Sequence, residues 1–230
     1  MLIDEGQGGT RSTARCRAAL QALQARGVTV CLASGRMHES ITHIASSLGV
    51  GGPVISYNGA MLRSHSGELL LHHQLEAGLA AEIVDLCEVR DLTLNFYFEG
   101  MLYARKQQPW WDLYHGRTSS PMQAVDTLTS MRGKMPTKLL ACSSREAILK
   151  LRDELTPILQ GRCTVMITGD EYLEFMPLAA DKGHALAALA QRLGLVAWRN
   201  RLIIVLAVYC RRHDGTNTLL RPWRFFCCGG

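Results

Sequence analysis

The stretch "VTVCLASGR", residues 28–36, decides the fold class of this chain. Its first six residues can all be buried, and such a continuous run is typical of a strand that is covered on both faces, as in a parallel sheet. The run then turns at Ser34 and Gly35 and ends on the charged Arg36. A buried strand that ends in a hydroxyl, a bare backbone and a guanidinium predicts a place where a polar ligand meets the sheet.

Helical and strand-like segments alternate around this stretch. Residues 15–26 and 37–48 each repeat apolar residues at helical spacing, and Gly27 and Gly49 follow them as C-caps. "GPVISYNGA" (52–60) adds a short strand and a turn. The order helix, strand, helix, strand predicts a parallel sheet with crossover helices, which is an α/β fold. The predicted buried faces are Cys16, Ala19, Leu20 and Leu23 in the first helix, and Met37, Ile41, Ile44, Ala45 and Leu48 in the second.

The middle of the chain follows an α+β pattern with antiparallel strands. A capping box from Ser143 to Glu146 predicts the start of the second of its two helices. Residues 105–135 show no clear period. The predicted hairpins are "LTLNFYF" with "MLYAR" across Glu99 and Gly100, and "CTVMIT" with "YLEFM" across Gly169 and Asp170. The other predicted elements are the strands "GELLLHHQL" (67–75) and "TKLLAC" (137–142) and the helices 80–89 and 144–155.

The alternation of predicted helices and strands resumes after Pro177. Residues 183–193 predict a helix and "LIIVLAVY" (202–209) a buried strand. We therefore expect a core that is split around an insertion, with core residues 1–62, an α+β insertion at 63–177 and core residues 178–230. The predicted face of the last helix is Leu186, Leu189, Ala190 and Leu193.

The composition narrows the class of protein. The formal net charge is +5 and the 25 Lys and Arg residues are scattered, which argues against a nucleic-acid partner. The eight Cys residues form no CxxC pair, which favours buried free thiols in a reducing compartment. No apolar segment reaches the ~18 residues that a membrane span needs, and we find no secretory signal. We expect a cytoplasmic monomer or weak homodimer that binds neither nucleic acid nor membrane.

Three short segments carry residues that suit a phosphate. Ser34, Gly35 and Arg36 end a predicted strand just before a helix, where a hydroxyl and free N–H groups can bind an anion. Lys182 lies in "AADKGHALAAL", again just before a helix, and can hold an anion as a point charge. Asn58 and Gly59 end the next strand. Each segment by itself is also compatible with an ordinary turn or a solvated lysine.

Taken in order, "LASGR", "SYNGA" and "EFMPLAADKGHAL" resemble the haloacid dehalogenase (HAD) superfamily, and more narrowly its Cof-type, type IIB-capped phosphatases. The resemblance covers most of residues 14–195 and implies a HAD-like Rossmannoid parallel-sheet core with an inserted α+β cap that closes over the site and selects the substrate. It also implies Mg²⁺-dependent hydrolysis of small phosphorylated metabolites such as sugar phosphates, flavin mononucleotide or pyridoxal phosphate.

The resemblance assigns roles to individual residues. Ser34 and Lys182 would grip the phosphoryl group as the catalytic residues that the chain retains, and Asp214 would bind Mg²⁺. The substrate-binding residues that it implies are Ser34, Gly35, Arg36, Asn58, Gly59 and Asn217.

Two motifs depart from the family pattern. The nucleophile motif Asp-x-Asp-Gly-Thr is absent, because Gly6 stands two residues after Asp4, and "LIDEGQ" resembles the flap that follows that motif. In the last motif Asp214 and Asn217 match, but His213 replaces the Gly and Thr218 replaces the second Asp. We therefore expect the chain to begin just after its nucleophile, with an altered tail beyond Leu195, impaired catalysis and uncovered core strands. The alternative is a non-catalytic truncated or frame-disturbed remnant that at most binds phosphorylated ligands.

Overall fold

The computed structural model describes residues 3–6, 9–12, 14–90, 92–105, 121–194 and 202–207, of which 3–6, 9–12 and 202–207 are described as backbone only. The described chain forms two compact units. The first holds the residues up to His72 and those from Asp181 onward, and the second holds His73–Ala180. In the described part of the chain, no helix is long and apolar enough to cross a membrane.

Strands and helices alternate along the described chain. The strands are β1 Ile3–Gly6, β2 Gly9–Ser12, β3 Thr29–Ser34, β4 Val54–Ser56, β5 Met61–Arg63, β6 Leu69–His72, β7 Thr93–Phe98, β8 Met101–Arg105, β9 Met122–Val125, β10 Lys138–Cys142, β11 Thr164–Gly169, β12 Tyr172–Met176 and β13 Leu202–Ala207. The α-helices are α1 Ala14–Ala25, α2 His38–Leu48, α3 Ala77–Glu88, α4 Arg145–Leu159 and α5 Lys182–Arg192. Two short 3₁₀ turns lie at Tyr57–Gly59 and Leu128–Met131.

The first unit is built on a five-stranded sheet in the order β13-β3-β4-β5-β6. β13, β3 and β4 run parallel, whereas β5 and β6 add antiparallel strands at one side. β3 is paired on both edges, with Ala33 opposite Leu206 in β13 and Ile55 in β4. The expectation that β3 would expose its backbone groups is therefore wrong, because β13 pairs directly along its free edge. β1 and β2 form a separate antiparallel pair, as expected for a flap.

Helices cover both faces of this sheet because β3 is apolar on both sides. Val30 and Leu32 pack against α1 and α2, in a core cluster that includes Leu20 and Ile41. Cys31 and Ala33 point to the opposite face, where they pack with residues of α5. The predicted α/β core with crossover helices is confirmed, with helices packed on both faces of the sheet. The α5 residues in that second cluster are Ala185 and Leu189, with Leu186 packed against them.

The predicted helix faces are mostly correct. All five apolar residues predicted to be buried from Met37 to Leu48 are buried, and Gly49 takes the left-handed conformation of a C-cap with φ 68°. Two positions are wrong. Ala19 is exposed, because α1 turns Leu20 rather than Ala19 into the core. Leu193 is 45% exposed, because the helix ends at Arg192 and Leu193 is its C-cap.

The second unit contains a six-stranded sheet in the order β11-β12-β10-β7-β8-β9. Both predicted hairpins are confirmed, and Glu99 and Gly100 turn the first of them with φ 49° and 75°. α3 and α4 pack on one face of the sheet and close one hydrophobic core. The other face carries a buried ion pair in which Lys138 Nζ lies 2.9 Å from Glu174 Oε1.

The strand predicted at the start of the insertion needs correction. The strand predicted at 67–75 is β6 (Leu69–His72), and it pairs with β5 in the first sheet rather than with the insertion. Residue 62 lies inside the hairpin of β5 and β6, and the two compact units change at His72 and Ala180. The division into 1–62, 63–177 and 178–230 as structural domains stays a prediction.

The helix N-cap is one residue later than the capping box predicts. Ser144 caps α4 through its hydroxyl, which accepts from the N–H of Ala147. Ser143 still belongs to the strand side of the junction, since its N–H donates to the carbonyl of Glu171. The helix also continues to Leu159 and so passes the expected end at residue 155.

Candidate functional site

The predicted anion-binding residues begin where β3 ends. Ser34 is the last residue of the strand and is buried, and α2 starts four residues later at His38. The N–H of Arg36 donates to Ser34 Oγ over 3.2 Å, so this amide already has an acceptor within the turn. Ser34, Gly35 and Arg36 therefore form a tight turn at the carboxyl edge of the sheet, beside the N-terminus of α2.

A strained turn follows the neighbouring strand β4. Tyr57, Asn58 and Gly59 have φ values of 48°, 56° and 103°, so three consecutive residues take positive φ. For a residue other than glycine this conformation costs roughly 1–2 kcal/mol, and such strain is concentrated at functional sites. The N–H of Tyr57 donates to the carbonyl of Arg36 over 2.9 Å. This hydrogen bond joins the strained turn to the turn that ends β3.

Lys182 reaches the same place from the other end of the chain. It is the first residue of α5, and its Nζ donates to Asn58 Oδ1 over 2.8 Å. A Cβ placed on Gly35 would lie 2.6 Å from the same Asn58 oxygen, so the Asn58 carboxamide lies directly against the Gly35 backbone. The structure thus brings Gly35, Asn58 and Lys182 together, with Ser34 next to them in the chain. Their roles toward a ligand stay predictions.

Gly59 lets α5 approach this turn. A Cβ at Gly59 would lie 2.3 Å from both the carbonyl carbon and the oxygen of Asp181, closer than any real side chain could come. Asp181 itself is the N-cap of α5, since its Oδ1 accepts from the N–H of His184 over 2.8 Å. The backbone of Asp181 therefore packs directly against the turn after β4. This contact determines the position of the Lys182 backbone relative to that turn.

Sequence reasoning missed His38 and Tyr57. Burial, with a smaller contribution from the positive charge of Arg63, lowers the pKa of His38 to about 4, so the ring is neutral near pH 7. Its Nδ1 lies 3.5 Å from Ser56 Oγ, at the start of the strained turn. Burial also raises the pKa of the Tyr57 phenol. The signal available in the sequence was their position, next to "SGR" and inside "SYNG".

The buried cysteines of both units are poor nucleophiles. Burial raises the pKa of Cys31 and of Cys87 to about 12, so both remain protonated thiols at neutral pH. Cys163 is buried as well, which agrees with the expected free thiols.

The described residues of the site offer no cluster of metal-ligating side chains. Within residues 14–90, 92–105 and 121–194, no group of three or more His, Cys, Asp or Glu side chains is placed to hold a metal. The groups that the structure brings together are the carboxamide of Asn58 and the ammonium of Lys182, whereas Mg²⁺ is bound through one or two carboxylates together with waters and phosphate oxygens. These residues alone do not fit Mg²⁺. The predicted metal ligand Asp214 and the predicted substrate ligand Asn217 lie outside the described residues.

Sequence comparison places the chain among known hydrolases. A family model described as haloacid dehalogenase-like hydrolase matches residues 7–197. The chain is 25% identical over 178 residues to the HMP-PP phosphatase of Citrobacter koseri, a match that covers 77% of this chain and 65% of the relative. The chain thus spans slightly less than two thirds of the length of that relative.

Structural comparison gives the same fold. A haloacid dehalogenase-like hydrolase from Bacteroides thetaiotaomicron superimposes with a TM-score of 0.75 at 22% identity, over 86% of this chain and 77% of that protein. A sugar phosphatase of HAD subclass IIB superimposes with a TM-score of 0.68 at 13% identity, over 86% and 77% of the two chains. The predicted HAD-like core is confirmed by these matches, and the fold is also that of a subclass IIB protein.

Proposed function

The chain belongs to the haloacid dehalogenase-like hydrolase family, and from this premise we propose that its site binds the phosphoryl group of a small phosphorylated metabolite. The observation that carries the proposal is the contact between Lys182 Nζ and Asn58 Oδ1 over 2.8 Å, since that same oxygen lies against the backbone of Gly35. A lysine, a strand-end hydroxyl and a helix N-terminus are the groups that recognise a phosphate in such folds. Here they belong to segments that are far apart in sequence.

Each group would contribute in its own way. The Lys182 ammonium is a compact point charge that offsets negative charge on phosphoryl oxygens. The Ser34 hydroxyl lies at the carboxyl edge of the sheet, where open α/β sheets bind their ligands. α2, which starts at His38, adds the positive end of its dipole. We propose Gly35, Arg36 and Gly59 as parts of the same substrate-binding site, where their backbones form the two turns that carry Ser34 and Asn58.

The substrate class follows from the relatives and from the Cof-type resemblance. The Citrobacter koseri relative is an HMP-PP phosphatase, and the subclass IIB protein of the same fold is a sugar phosphatase. We propose a small metabolite that carries a phosphate ester or anhydride, with sugar phosphates, flavin mononucleotide and pyridoxal phosphate as candidates. Selection among them by the second unit, acting as a cap, and a cytoplasmic location are parts of the same proposal.

Hydrolysis needs carboxylates that the described residues do not supply. We propose Mg²⁺ as the cofactor, with Asp214 as a ligand and Asn217 near the substrate, and derive no step through the metal. Residues 1–230 contain no Asp-x-Asp-Gly-Thr segment, and without a nucleophile no covalent phosphoryl intermediate can form. We therefore propose that the polypeptide of residues 1–230 binds a phosphoryl group but releases little phosphate by itself.

Binding and hydrolysis can be tested separately. Calorimetric titration with inorganic phosphate should show binding to the 230-residue chain, and Lys182→Ala should weaken the affinity about tenfold or more, since one charged contact is worth about 1.5–3 kcal/mol. Lys150→Ala is the matched control, because Lys150 is an exposed lysine on α4. Equal phosphate affinity in the Lys182→Ala and unaltered proteins would contradict the proposal.

The catalytic half is tested with p-nitrophenyl phosphate and Mg²⁺. The 230-residue chain should release little phosphate, and a version extended upstream by an apolar strand ending in Asp-x-Asp-Gly-Thr should release more. The same two proteins should bind inorganic phosphate alike. Equal phosphate release from both would show that the chain carries its own nucleophile and would refute the proposed impairment.

A further inference from the structure

We propose that Asn58 is a positioning residue, which holds the Lys182 ammonium at the turn that ends β3 rather than binding the substrate itself. The inference rests on the proposed function of Lys182 and deepens it. It replaces the substrate-binding role that the family resemblance implied for Asn58 with a role that acts through the lysine.

The ammonium of a lysine takes a defined position only where another group holds it. Its ammonium sits on a flexible four-carbon stem whose rotamer freedom is lost when it binds. Here the Asn58 carboxamide oxygen accepts from Nζ over 2.8 Å, and the two residues are 124 positions apart in the chain. The contact therefore restrains the ammonium from a distant part of the chain.

The Asn58 carboxamide packs against the backbone of Gly35. The site of an added Gly35 Cβ lies 2.6 Å from Asn58 Oδ1 and 3.1 Å from both Cγ and Nδ2. All three outer atoms of the carboxamide thus lie close to the Gly35 backbone, in space that any larger residue would fill. Gly35 is needed here because its missing side chain makes room for Asn58.

The backbone of Asn58 is fixed on both sides. On one side Tyr57 donates to the carbonyl of Arg36, and on the other Gly59 packs against the backbone of Asp181. The same three-residue turn therefore contacts both segments from which the site is built. Asn tolerates positive φ better than most residues, so it can occupy the centre of this turn and still present an acceptor.

A neutral acceptor also suits the proposed chemistry. An Asp at position 58 would hold Lys182 as well, but its charge would cancel much of the ammonium's attraction for a phosphoryl group. The carboxamide directs the ammonium and adds no negative charge beside it. This difference between Asn and Asp supplies the test.

The decisive variant is Asn58→Gly, because glycine adopts positive φ without strain and so removes only the side chain. We expect Lys182 to react faster in pulse acetylation with acetic anhydride, read by mass spectrometry as the rate of labelling at Lys182 relative to Lys150. We expect an increase of about threefold or more, with the thermal unfolding midpoint unchanged or raised. An unchanged labelling ratio would overturn the proposal, and this measurement does not depend on phosphate binding.

Two further variants separate positioning from direct binding. In a double-mutant cycle on inorganic phosphate affinity, Asn58→Gly should weaken binding about tenfold in the unaltered protein and have no effect in the Lys182→Ala background. Additive losses would assign Asn58 a direct contact and overturn the proposal. Asn58→Asp should restore the slow labelling of Lys182 while leaving phosphate affinity low, and fast labelling in that variant would also count against it.

The failure of this inference differs from the failure of the proposed function. If Lys182→Ala binds inorganic phosphate as well as the unaltered protein does, the proposed function fails, whatever Asn58 does to labelling. If Lys182→Ala loses binding but Asn58→Gly changes neither affinity nor labelling, the phosphate site stands and the positioning role is wrong.

Discussion

At the scale of single residues, the site depends on two places where a side chain is missing. Gly35 leaves room for the Asn58 carboxamide, and Gly59 leaves room for the backbone of Asp181. Both glycines were predicted from the sequence as turn residues with bare backbone. Their close contacts with residues elsewhere in the chain were not predicted, because a turn signal carries no information about what packs against the turn.

Substitution of Gly59 should measure how tightly α5 is held against the turn. Gly59→Ala combines positive φ with a Cβ 2.3 Å from the Asp181 carbonyl, and we expect it to lower the free energy of unfolding by more than about 2 kcal/mol. Gly67→Ala is the matched control, because Gly67 has φ +85° but nothing within 4 Å of its added Cβ. Urea denaturation of the two variants gives the comparison. Equal losses would mean that the contact with Asp181 adds nothing beyond backbone strain.

At the scale of elements, the start of α2 joins the two turns of the site. His38 is the first residue of this helix, and its ring lies between Ser56 Oγ and the hydroxyl of Thr42. A charged imidazole is disfavoured there by burial, by Arg63 and by the positive end of the helix dipole. The folded state therefore stabilises the neutral form of the His38 ring.

His38 should make the protein less stable as the pH falls. Its folded pKa of about 4 lies below the ordinary value of 6.5, so between these values the unfolded chain binds more protons than the folded one. Stability then increases with pH across this window and is fully present above pH 6.5. We expect His38→Gln to lose less stability than the unaltered protein between pH 6.5 and pH 4, measured by urea denaturation at each pH.

The control for this measurement is His43→Gln, since His43 is an exposed histidine on the same helix. Carboxylates titrate in the same pH range in all three proteins, so only the difference between them reports His38. An identical pH dependence in His38→Gln and the unaltered protein would show that the ring is not held neutral by the fold.

At the scale of the whole molecule, each unit has its own hydrophobic core. Among the described residues, the core of the second unit lies between Leu75 and Phe175, in α3, α4, the 3₁₀ turn at Leu128–Met131 and the six-stranded sheet. Those of the first unit lie on the two faces of the five-stranded sheet. Units with separate cores can in principle fold by themselves.

Residues 73–180 should therefore fold as an isolated polypeptide. We expect it to unfold in one cooperative transition in urea, followed by far-UV circular dichroism, because its core does not depend on the first unit. The variant Phe175→Ala tests whether the isolated unit keeps its core. It should lower the free energy of unfolding by about 3–5 kcal/mol, because the Phe175 ring is fully buried. A gradual, non-cooperative transition would show that the second unit needs the rest of the chain.

The sequence by itself determined the elements and the class of fold. β3, the apolar face of α2 and the two hairpins of the second unit were predictable because periodicity and turn residues act over a few neighbouring positions. The order of the three motifs also pointed to the HAD family and to the residues of the candidate site. The predicted N-cap of α4 was wrong by one residue, because Ser144 rather than Ser143 caps the helix.

Only the tertiary structure decided which distant segments meet. The pairing of β6 with the first sheet, the pairing of β13 with β3 and the contact of Lys182 with Asn58 all join parts of the chain that no local pattern connects. The positive φ of Tyr57 is another such case, because a bulky residue keeps that conformation only where surrounding contacts outweigh its cost. The physical reason is the same throughout: these features depend on packing between elements, and packing energy is a property of the assembled fold.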